Sequence, residues 1–518
     1  MTLRSFLLGC ATCATLAAAE NPGAVPTLPD VVKMSPYEVR ALSVDFRRWI
    51  KVGSPNFILY TDASGSEASQ VLRELEMLHA AARYFFGRNP IQRAPAIIVL
   101  PTSGSDWRKL EAKGRVEWRA AISQEGEMVR DVIVVQYDWQ SSGTYLIRWA
   151  QAYVEAKRAN LHGPFWFERG LQTFFTTAEF SAHAVDLGRA STRMQRMERR
   201  GWLPWDRFFR VTPESPEFRK EGEIDRYEGQ CATFIQFLFA NPDHSWHQRL
   251  NAWVDYLNGD HEPTEPEFKR FFGQDWKEWQ RTMDRYMSGG AYAVYQIRLT
   301  PEQTKVAETK YPQPVREMRD LFILSQILVQ DVPASGESLD AMLAEGLKTE
   351  SLREVLAAAC IRRHRHGPAR EQLQRLIDAK TTNPLVYVAA SALRFVSDPS
   401  QLDINYRLHE RADQIRIWCS AAVAIEPMLE DANQMLAWAE ALAPEVDQQS
   451  IFSIEECYRR MRQVVPSDDI IAALAVAQWR LGDDATARAL AEKLRDPLSG
   501  SKLSRQTAAD LLTAMAGH

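Results

Sequence analysis

Apolar residues follow two different periodicities along this chain, and the change between them predicts a mixed α/β region followed by helices alone. Short apolar runs at residues 56–60, 96–100 and 129–135 predict buried strands. Apolar residues at helical spacing predict helices at 66–86, 145–159 and 164–180, the last with a proline in its first turn. With strands early and helices late, this first region is predicted to be α+β.

From residue 183 to residue 288 the helical segments are rich in aromatic residues and predict a helical lobe that completes the first region. Gly289-Gly290 is typical of a domain boundary, so a cut there is expected to give two fragments that each fold. Beyond it, over residues 291–518, helix pairs recur. The pair at 468–481 and 484–495 resembles a tetratricopeptide unit, although no strict period of about 34 residues runs through the region. We therefore expect an all-α solenoid of degenerate repeats.

The first residues of the chain are typical of an export signal. Arg4 precedes an uncharged stretch over residues 6–19, and Ala17-Ala18-Ala19 precedes Glu20 as a cleavage site. This predicts a signal peptide at 1–19, a proline-rich leader at 20–36 and a periplasmic or extracellular protein. Lipoprotein anchoring at Cys10 is the minor alternative, because cleavage there leaves almost no apolar segment.

Charge and composition exclude some partners. The net charge of −5 gives no broad basic surface for nucleic acid or anionic lipid. No segment after the signal approaches the ~20 consecutive apolar residues of a membrane span.

Four cysteines remain after signal removal, without a close pair, and buried thiols are favoured over a disulfide framework. They are Cys231, Cys360, Cys419 and Cys457.

The region that should carry chemistry is a predicted strand, a predicted helix, and then the sequence Pro-Phe-Trp-Phe-Glu-Arg-Gly-Leu-Gln at 164–172. This order resembles the peptidase-MA-like, gluzincin-type zinc metallopeptidase domain found in exported bacterial proteins. The resemblance runs from Trp49 to Met287, about half of the chain. It implies a gluzincin-like domain over 37–288, with an α+β core at 49–182 and a helical lobe at 183–288, and a helical-repeat tail is common after such domains.

In that family, a His-Glu-x-x-His helix and a glutamate on the next helix hold zinc. With Trp166 and Gly170-Leu171 setting the register, the corresponding positions here are Trp149, Ala150, Tyr153 and Arg169. Indole and methyl groups offer no lone pair to a metal, and guanidinium is a permanent cation. The sequence therefore predicts no catalytic residue, no metal ligand and no zinc cofactor. A non-standard site built from Glu155, His162, Glu168 and His183 is the less favoured alternative.

The resemblance also implies a mode of binding. In the family, the strand that corresponds to residues 131–136 lies at the sheet edge and adds extended substrate to the sheet. A candidate groove then comprises Val134, Glu155, Glu168 and Arg169, with Arg169 receiving a carboxylate of the ligand. An internal pair between Arg169 and Glu155 is an equally good interpretation.

These observations favour an exported pseudo-peptidase that binds a protein or extended peptide. Two alternatives remain open at this stage. One is an active hydrolase, either with a non-standard metal site or independent of metal. The other is a structural envelope protein that binds through its solenoid alone.

Overall fold

The computed structural model describes most of the chain from residue 41 onward. The described residues are 41, 43–86, 94–106, 120–122, 129–135, 145–159, 161, 163–189, 194, 197, 200–218, 221–239, 243, 245–258, 261–289, 294–312, 314–329, 335–347, 349–395, 409–462, 468–495 and 502–516. The predicted signal peptide and leader lie outside them. No helix in this described part is both long and apolar enough to cross a membrane.

The strands form two sheets. They are β1 Ile50–Gly53, β2 Phe57–Thr61, β3 Ala96–Leu100, β4 Ala120–Ile122, β5 Val132–Val135, β6 Glu179–Phe180, β7 Ala184–Leu187, β8 Tyr295–Arg298 and β9 Thr309–Lys310. The larger sheet has the order β4-β5-β3-β2-β1-β9 and the smaller the order β6-β7-β8. Strands β2, β3 and β5 are parallel to one another, with Ile98 opposite both Leu59 and Ile133. The remaining pairs are antiparallel.

Helices make up most of the rest. In the α+β region they are α1 Gly65–Phe86, α2 Tyr145–Arg158, α3 Phe165–Phe175, α4 Trp205–Phe208, α5 Glu221–Phe239, α6 Ser245–Asn258, α7 Glu265–Phe272, α8 Trp276–Ser288 and α9 Pro301–Thr304. The solenoid contains α10 Val315–Val329, α11 Ser335–Glu345, α12 Glu350–Arg362, α13 His366–Asp378, α14 Pro384–Phe395, α15 His409–Ile425, α16 Glu430–Ala441, α17 Gln448–Met461, α18 Asp468–Leu481, α19 Asp484–Leu494 and α20 Lys502–Ala516. The expectation of an α+β region followed by a helical solenoid is confirmed at this level.

The larger sheet is buried on both faces because helices cover each of them. Successive side chains of a strand point to opposite sides, so each strand contributes to both cores. On one face, Leu59, Ile98 and Ile133 pack with side chains of α1 and α2. On the other face, Tyr60 and Val134 pack with the solenoid, beginning at α10. The sheet is therefore the middle layer of three.

The helical lobe has a core of large aromatic side chains, which pack at ring-centroid distances typical of aromatic pairs. Trp166 lies 5.2 Å from Phe234 and 5.4 Å from Phe209, measured between ring centroids. Local signals end one of its last two helices and begin the other. Gly273 adopts φ +74° at the end of α7, and Asp275 caps α8 through a capping box.

In the solenoid, consecutive helices from α12 onward contact each other. Several even-numbered helices also contact the next even-numbered one, as α14 with α16, α16 with α18 and α18 with α20. The even-numbered helices thus form an inner row, and the odd-numbered helices lie outside it with more exposed surfaces. This is the arrangement of a stacked helix-pair array.

Strand pairs and polar contacts cross the boundary predicted at Gly289-Gly290, between segments 37–288 and 291–518. Strand β8 pairs with β7, and β9 pairs with β1. Both strands follow residue 290 but complete the sheets of the first region. Moreover, Tyr60 and Lys51 of the sheet contact Glu317 of α10 at 2.6 and 2.8 Å. The turn signal at 289–290 is a local feature, whereas the extent of the domain depends on strand pairing across more than a hundred residues.

A second polar contact joins the two regions. Arg130 Nη1 lies 2.8 Å from Glu354 Oε2, and Asn383 Nδ2 donates to the other oxygen of that carboxylate at 2.8 Å. Asn383 Nδ2 also donates to the carbonyl of Val129 at 2.7 Å. All three polar side chains are buried, so this network is shielded from water and fixes the solenoid against the end of β5.

Candidate functional site

Helices α2 and α3 position the residues that the sequence singled out. Helix α2 packs Ile147, Ala150 and Val154 toward the sheet, and turns Ala152 and Ala156 toward the helical lobe. Helix α3 follows Pro164 and packs closely on α5 at Gly170. A Cβ atom at Gly170 would lie 2.4 Å from Ile235 Cγ1 and 2.8 Å from the Cys231 carbonyl oxygen. The glycine is required because the two helix backbones approach so closely.

The structure brings Trp149 and Arg169 together. The Arg169 guanidinium carbon lies 4.9 Å from the centroid of the Trp149 ring and 4.8 Å from that of Phe165. Arg169 is 4% exposed and Trp149 is 5% exposed. A guanidinium between two aromatic faces is stabilised by the ring quadrupoles as well as by burial of its apolar surface. We call Trp149, Phe165 and Arg169 the cation-aromatic stack.

The charge of Arg169 is balanced from α5. Burial lowers the pKa of Arg169, and the carboxylate of Glu228 is the strongest influence that opposes this shift. Glu228 is 3% exposed. Neighbouring Tyr227 stacks on Phe165, and burial raises the pKa of both Tyr227 and Cys231 well above their ordinary values. The Cys231 thiol is therefore protonated at neutral pH and is not a nucleophile.

Glu155 is engaged elsewhere. Its Oε2 lies 2.8 Å from His79 Nδ1 on α1, and Gln151 Nε2 approaches Oε1 at 3.5 Å. Glu155 is 1% exposed, so it joins α1 to α2 inside the protein and does not face an open groove. His79 was not predicted, because a single histidine on the apolar face of a helix gives no signal of its partner.

Tyr153 and Glu168 are partly exposed and line a shallow pocket between α2 and α3. Ala150 is fully buried against the sheet and does not reach this pocket. The two motif positions that are one turn apart on α2 therefore have different environments, since Trp149 is enclosed and Tyr153 is at the surface.

The edge-strand prediction for Val134 needs correction. Strand β5 pairs with β3 on one side and with β4 on the other, so it is not an edge strand. Val134 is 1% exposed and packs with the solenoid core. It therefore faces away from α2, on the opposite side of the sheet from Arg169. The sequence concealed this because β4 contains only Ala120–Ile122, which is too short to be recognised by periodicity.

The positions that the predicted resemblance aligns with zinc ligands do not fit a metal. Zinc binds to thiolate, imidazole or carboxylate groups, and here a permanent cation contacts the indole at that place. Among the described residues, no group of three His, Cys, Asp or Glu side chains could hold a metal ion. Of the alternative set, His183 is exposed in the turn between β6 and β7, and His162 lies outside the described residues.

Comparisons with known proteins give little further information. No protein-family model matches this sequence. No curated protein matches it either. Among solved structures, the crystal structure of TTC0263, a thermophilic TPR protein of Thermus thermophilus, matches with 16% identity over 39% of this chain and 94% of that chain, at a TM-score of 0.25. This match carries no argument about function, and the resemblance to the peptidase-MA-like domain stays a prediction.

Proposed function

We propose that this protein is a non-catalytic binding scaffold, in which a gluzincin-like arrangement of α2 and α3 has lost its zinc site and retains a surface for a protein or extended peptide. The observation that carries the proposal is the cation-aromatic stack. In it, Arg169 contacts Trp149. In the register of the proposed resemblance, these two residues stand where the glutamate and the first histidine of the family would bind zinc.

The stack is incompatible with the family's chemistry for an electrostatic reason. A divalent cation beside a buried guanidinium would be repelled by it, and at close range in a protein interior such repulsion amounts to several kcal/mol. The charge of Arg169 is already balanced within the protein by Glu228. Hydrolysis through a metal-bound water would therefore require a different site.

The burial of Arg169 also changes the kind of ligand that we propose. A ligand carboxylate would have to displace buried aromatic contacts in order to reach the guanidinium. Among the described residues that line the pocket between α2 and α3, the charged one is Glu168, a carboxylate. We therefore do not carry the carboxylate-binding role of Arg169 forward, and the proposed partner is a protein or peptide without that requirement.

The contacts in the structure favour the binding scaffold over the two alternatives, a non-standard metal site and a solenoid that binds alone. The non-standard metal site requires Glu155, whose carboxylate contacts His79 inside the protein. A solenoid acting alone would need to be separable from the sheet, yet α10 packs directly on it. We also propose that the protein is exported, either to the periplasm or to the extracellular space.

Metal content and proteolysis test the proposal. Protein comprising residues 20–518, purified without chelator and supplied with zinc, is expected to retain well below one equivalent and to leave unfolded protein substrates uncut. The expectation follows from the chemistry of Trp149, Tyr153 and Arg169.

Stoichiometric zinc together with chelator-sensitive proteolysis would overturn the proposal. His183→Ala and His162→Ala are the matched variants for that case. If zinc were bound and lost in either variant, the non-standard site would be the correct interpretation. Proteolysis without metal would indicate a metal-independent hydrolase.

A further inference from the structure

The turn between α12 and α13 concentrates positive charge in a chain that is acidic overall. Residues 362–370 contain four arginines and two histidines and no acidic residue, although the net charge of the whole chain is −5. Helix α12 ends at Arg362 and α13 begins at His366, so these side chains lie around one tight connection. A local concentration of positive charge attracts anions.

The N-terminus of α13 is open to solvent. Its N-cap residue, Arg365, makes no side-chain hydrogen bond to the first turn, and that turn contains no acidic residue. The first N–H groups of a helix have no acceptor within the helix, so those of His366 and Gly367 are available to an external acceptor. Apart from its chain neighbours, no atom of the described residues lies within 4 Å of the position that a Cβ would take at Gly367. The partial positive charge of a helix N-terminus adds to the attraction for an anion.

Side-chain donors lie beside these N–H groups. Arg370 Nε donates to the carbonyl oxygen of His366 at 3.2 Å, which holds the guanidinium close to the first turn. The Nδ1 atom of His366 is shielded from solvent and has no hydrogen-bond partner in the described part of the chain. Covalent geometry keeps this ring nitrogen within about 5 Å of the N–H of its own residue in every rotamer. The ring centroid of His364 lies 6.1 Å from that of His366. Backbone and side-chain donors are therefore grouped at this end of α13.

The basic residues of the turn have two different roles. Arg365 pairs with Asp340 of α11, and Arg363 donates to a carbonyl oxygen of α10 at 3.0 Å. These two arginines therefore fasten the turn to the preceding helices. By contrast, Arg370 and His364 are exposed and form no ion pair with any residue that the structure describes. A ligand can reach both of them from solvent.

We propose that this end of α13 binds a phosphate group, either as free phosphate or as part of a phosphate ester. A phosphate group offers several acceptor oxygens and about two negative charges, whereas a carboxylate offers two oxygens and one charge. Backbone N–H groups at a helix N-terminus and a guanidinium are donors with which proteins commonly bind phosphate. The site lies on helices other than α2 and α3, and it does not depend on the proposed loss of zinc.

Calorimetric titration of the mature chain tests the inference. Protein comprising residues 20–518, in a phosphate-free chloride buffer, is titrated with inorganic phosphate and separately with glycerol 3-phosphate at equal ionic strength. Saturable binding of one equivalent, in the millimolar range or tighter, is expected for at least one of the two compounds. Binding of inorganic phosphate alone would identify free phosphate as the ligand. Binding of the ester would show that the site accepts a phosphate group carried by a larger molecule.

Three variants locate the site. Gly367→Asp places a carboxylate in the first turn of α13, where it competes for the N–H groups and repels the ligand. It is expected to weaken phosphate binding at least tenfold, yet the protein should be as stable as the parent or more so, because an acidic side chain at a helix N-terminus is favourable and has room there. Arg370→Gln should weaken binding by about tenfold, the effect of one charge-assisted hydrogen bond. Arg375→Gln, in the last turn of the same helix, is the matched control and should leave binding unchanged.

The opposite results would overturn the inference. Absence of saturable binding of both compounds in the millimolar range would show that the turn holds no phosphate. Binding unchanged by Gly367→Asp and Arg370→Gln would place the phosphate elsewhere on the protein. Equal losses in Arg370→Gln and Arg375→Gln would mean that overall charge, and not this end of α13, governs binding. Zinc content and proteolysis decide the proposed function separately from all of these results.

Discussion

The aromatic lobe and the solenoid are both helical, but their helices are held together by different side chains. In the aromatic lobe, which comprises α3 to α8, large rings such as Trp166, Phe234 and Trp279 fill the space between helices. In the solenoid, which comprises α10 to α20, many of the buried residues are alanines, including consecutive ones at 357–359. Small side chains allow helices to pack closely in a repeating manner, whereas large rings require an individual fit at each contact.

This difference explains where the candidate site lies. Aromatic faces can enclose a cation, as Trp149 of α2 and Phe165 of the lobe enclose Arg169. The aromatic lobe can therefore hold a buried charge where a metal site would otherwise be expected. The solenoid contributes elsewhere, by covering the second face of the sheet.

The largest expected effect concerns the connection between the regions. A fragment that ends at Gly289 lacks β8, β9 and the helix that covers one face of the sheet, so it should lose cooperative unfolding. Thermal unfolding followed by circular dichroism is the measurement. A fragment that ends at residue 312, which keeps both strands, is the control and should recover part of the structure. Cooperative unfolding of the shorter fragment would show that the two regions are independent.

Truncating one large ring should be the next largest effect. Trp166 is fully buried among four aromatic rings, so Trp166→Ala is expected to lower the free energy of unfolding by about 3 to 5 kcal/mol. Phe452→Ala in the solenoid is the matched control. Phe452 is 53% exposed, and its loss should change stability by less than about 0.5 kcal/mol. Chemical denaturation compares the two, and similar losses would contradict the description of the aromatic core.

Adding one methyl group should distinguish close from open helix contacts. Gly170→Ala is expected to destabilise the protein by about 1 to 3 kcal/mol, because the new Cβ would meet Ile235 and the backbone of Cys231. Gly367→Ala in α13 is the control, since no atom lies within 4 Å of a Cβ there. It should be neutral or stabilise by up to about 1 kcal/mol through the unfolded state. A neutral Gly170→Ala would mean that α3 and α5 are not in close contact.

The smallest expected effect concerns three buried thiols of the solenoid. Burial raises the pKa of Cys360 and Cys457 to about 11 and that of Cys419 to about 12, from an ordinary value of 9.0. Because these thiols lose their protons more easily in the unfolded chain, their contribution to stability should be constant below pH 9 and should be lost as the pH rises from 9 through about 11 to 12. Alkylation at pH 8 should be negligible in the native protein and complete after unfolding. Rapid native alkylation at any of the three would contradict their burial.

Some of the architecture follows from local patterns. The apolar run at Ala96–Leu100 is a strand at the predicted residues, and the segment Asp468–Leu481 is a helix at the predicted residues. These patterns suffice because residues that are close together in the sequence specify a buried strand or the buried face of a helix. Strands β8 and β9 were not predicted, since four and two largely exposed residues carry no such pattern.

For the candidate site, the sequence determined the residue types and therefore what the site cannot do. Trp149, Ala150 and Arg169 cannot bind zinc in any arrangement, because that follows from their side chains alone. The tertiary structure decided what these residues do instead. Only packing between α2, α3 and α5 places the guanidinium against two rings and near Glu228. Such contacts join residues far apart in the chain, and a local pattern holds no information about them.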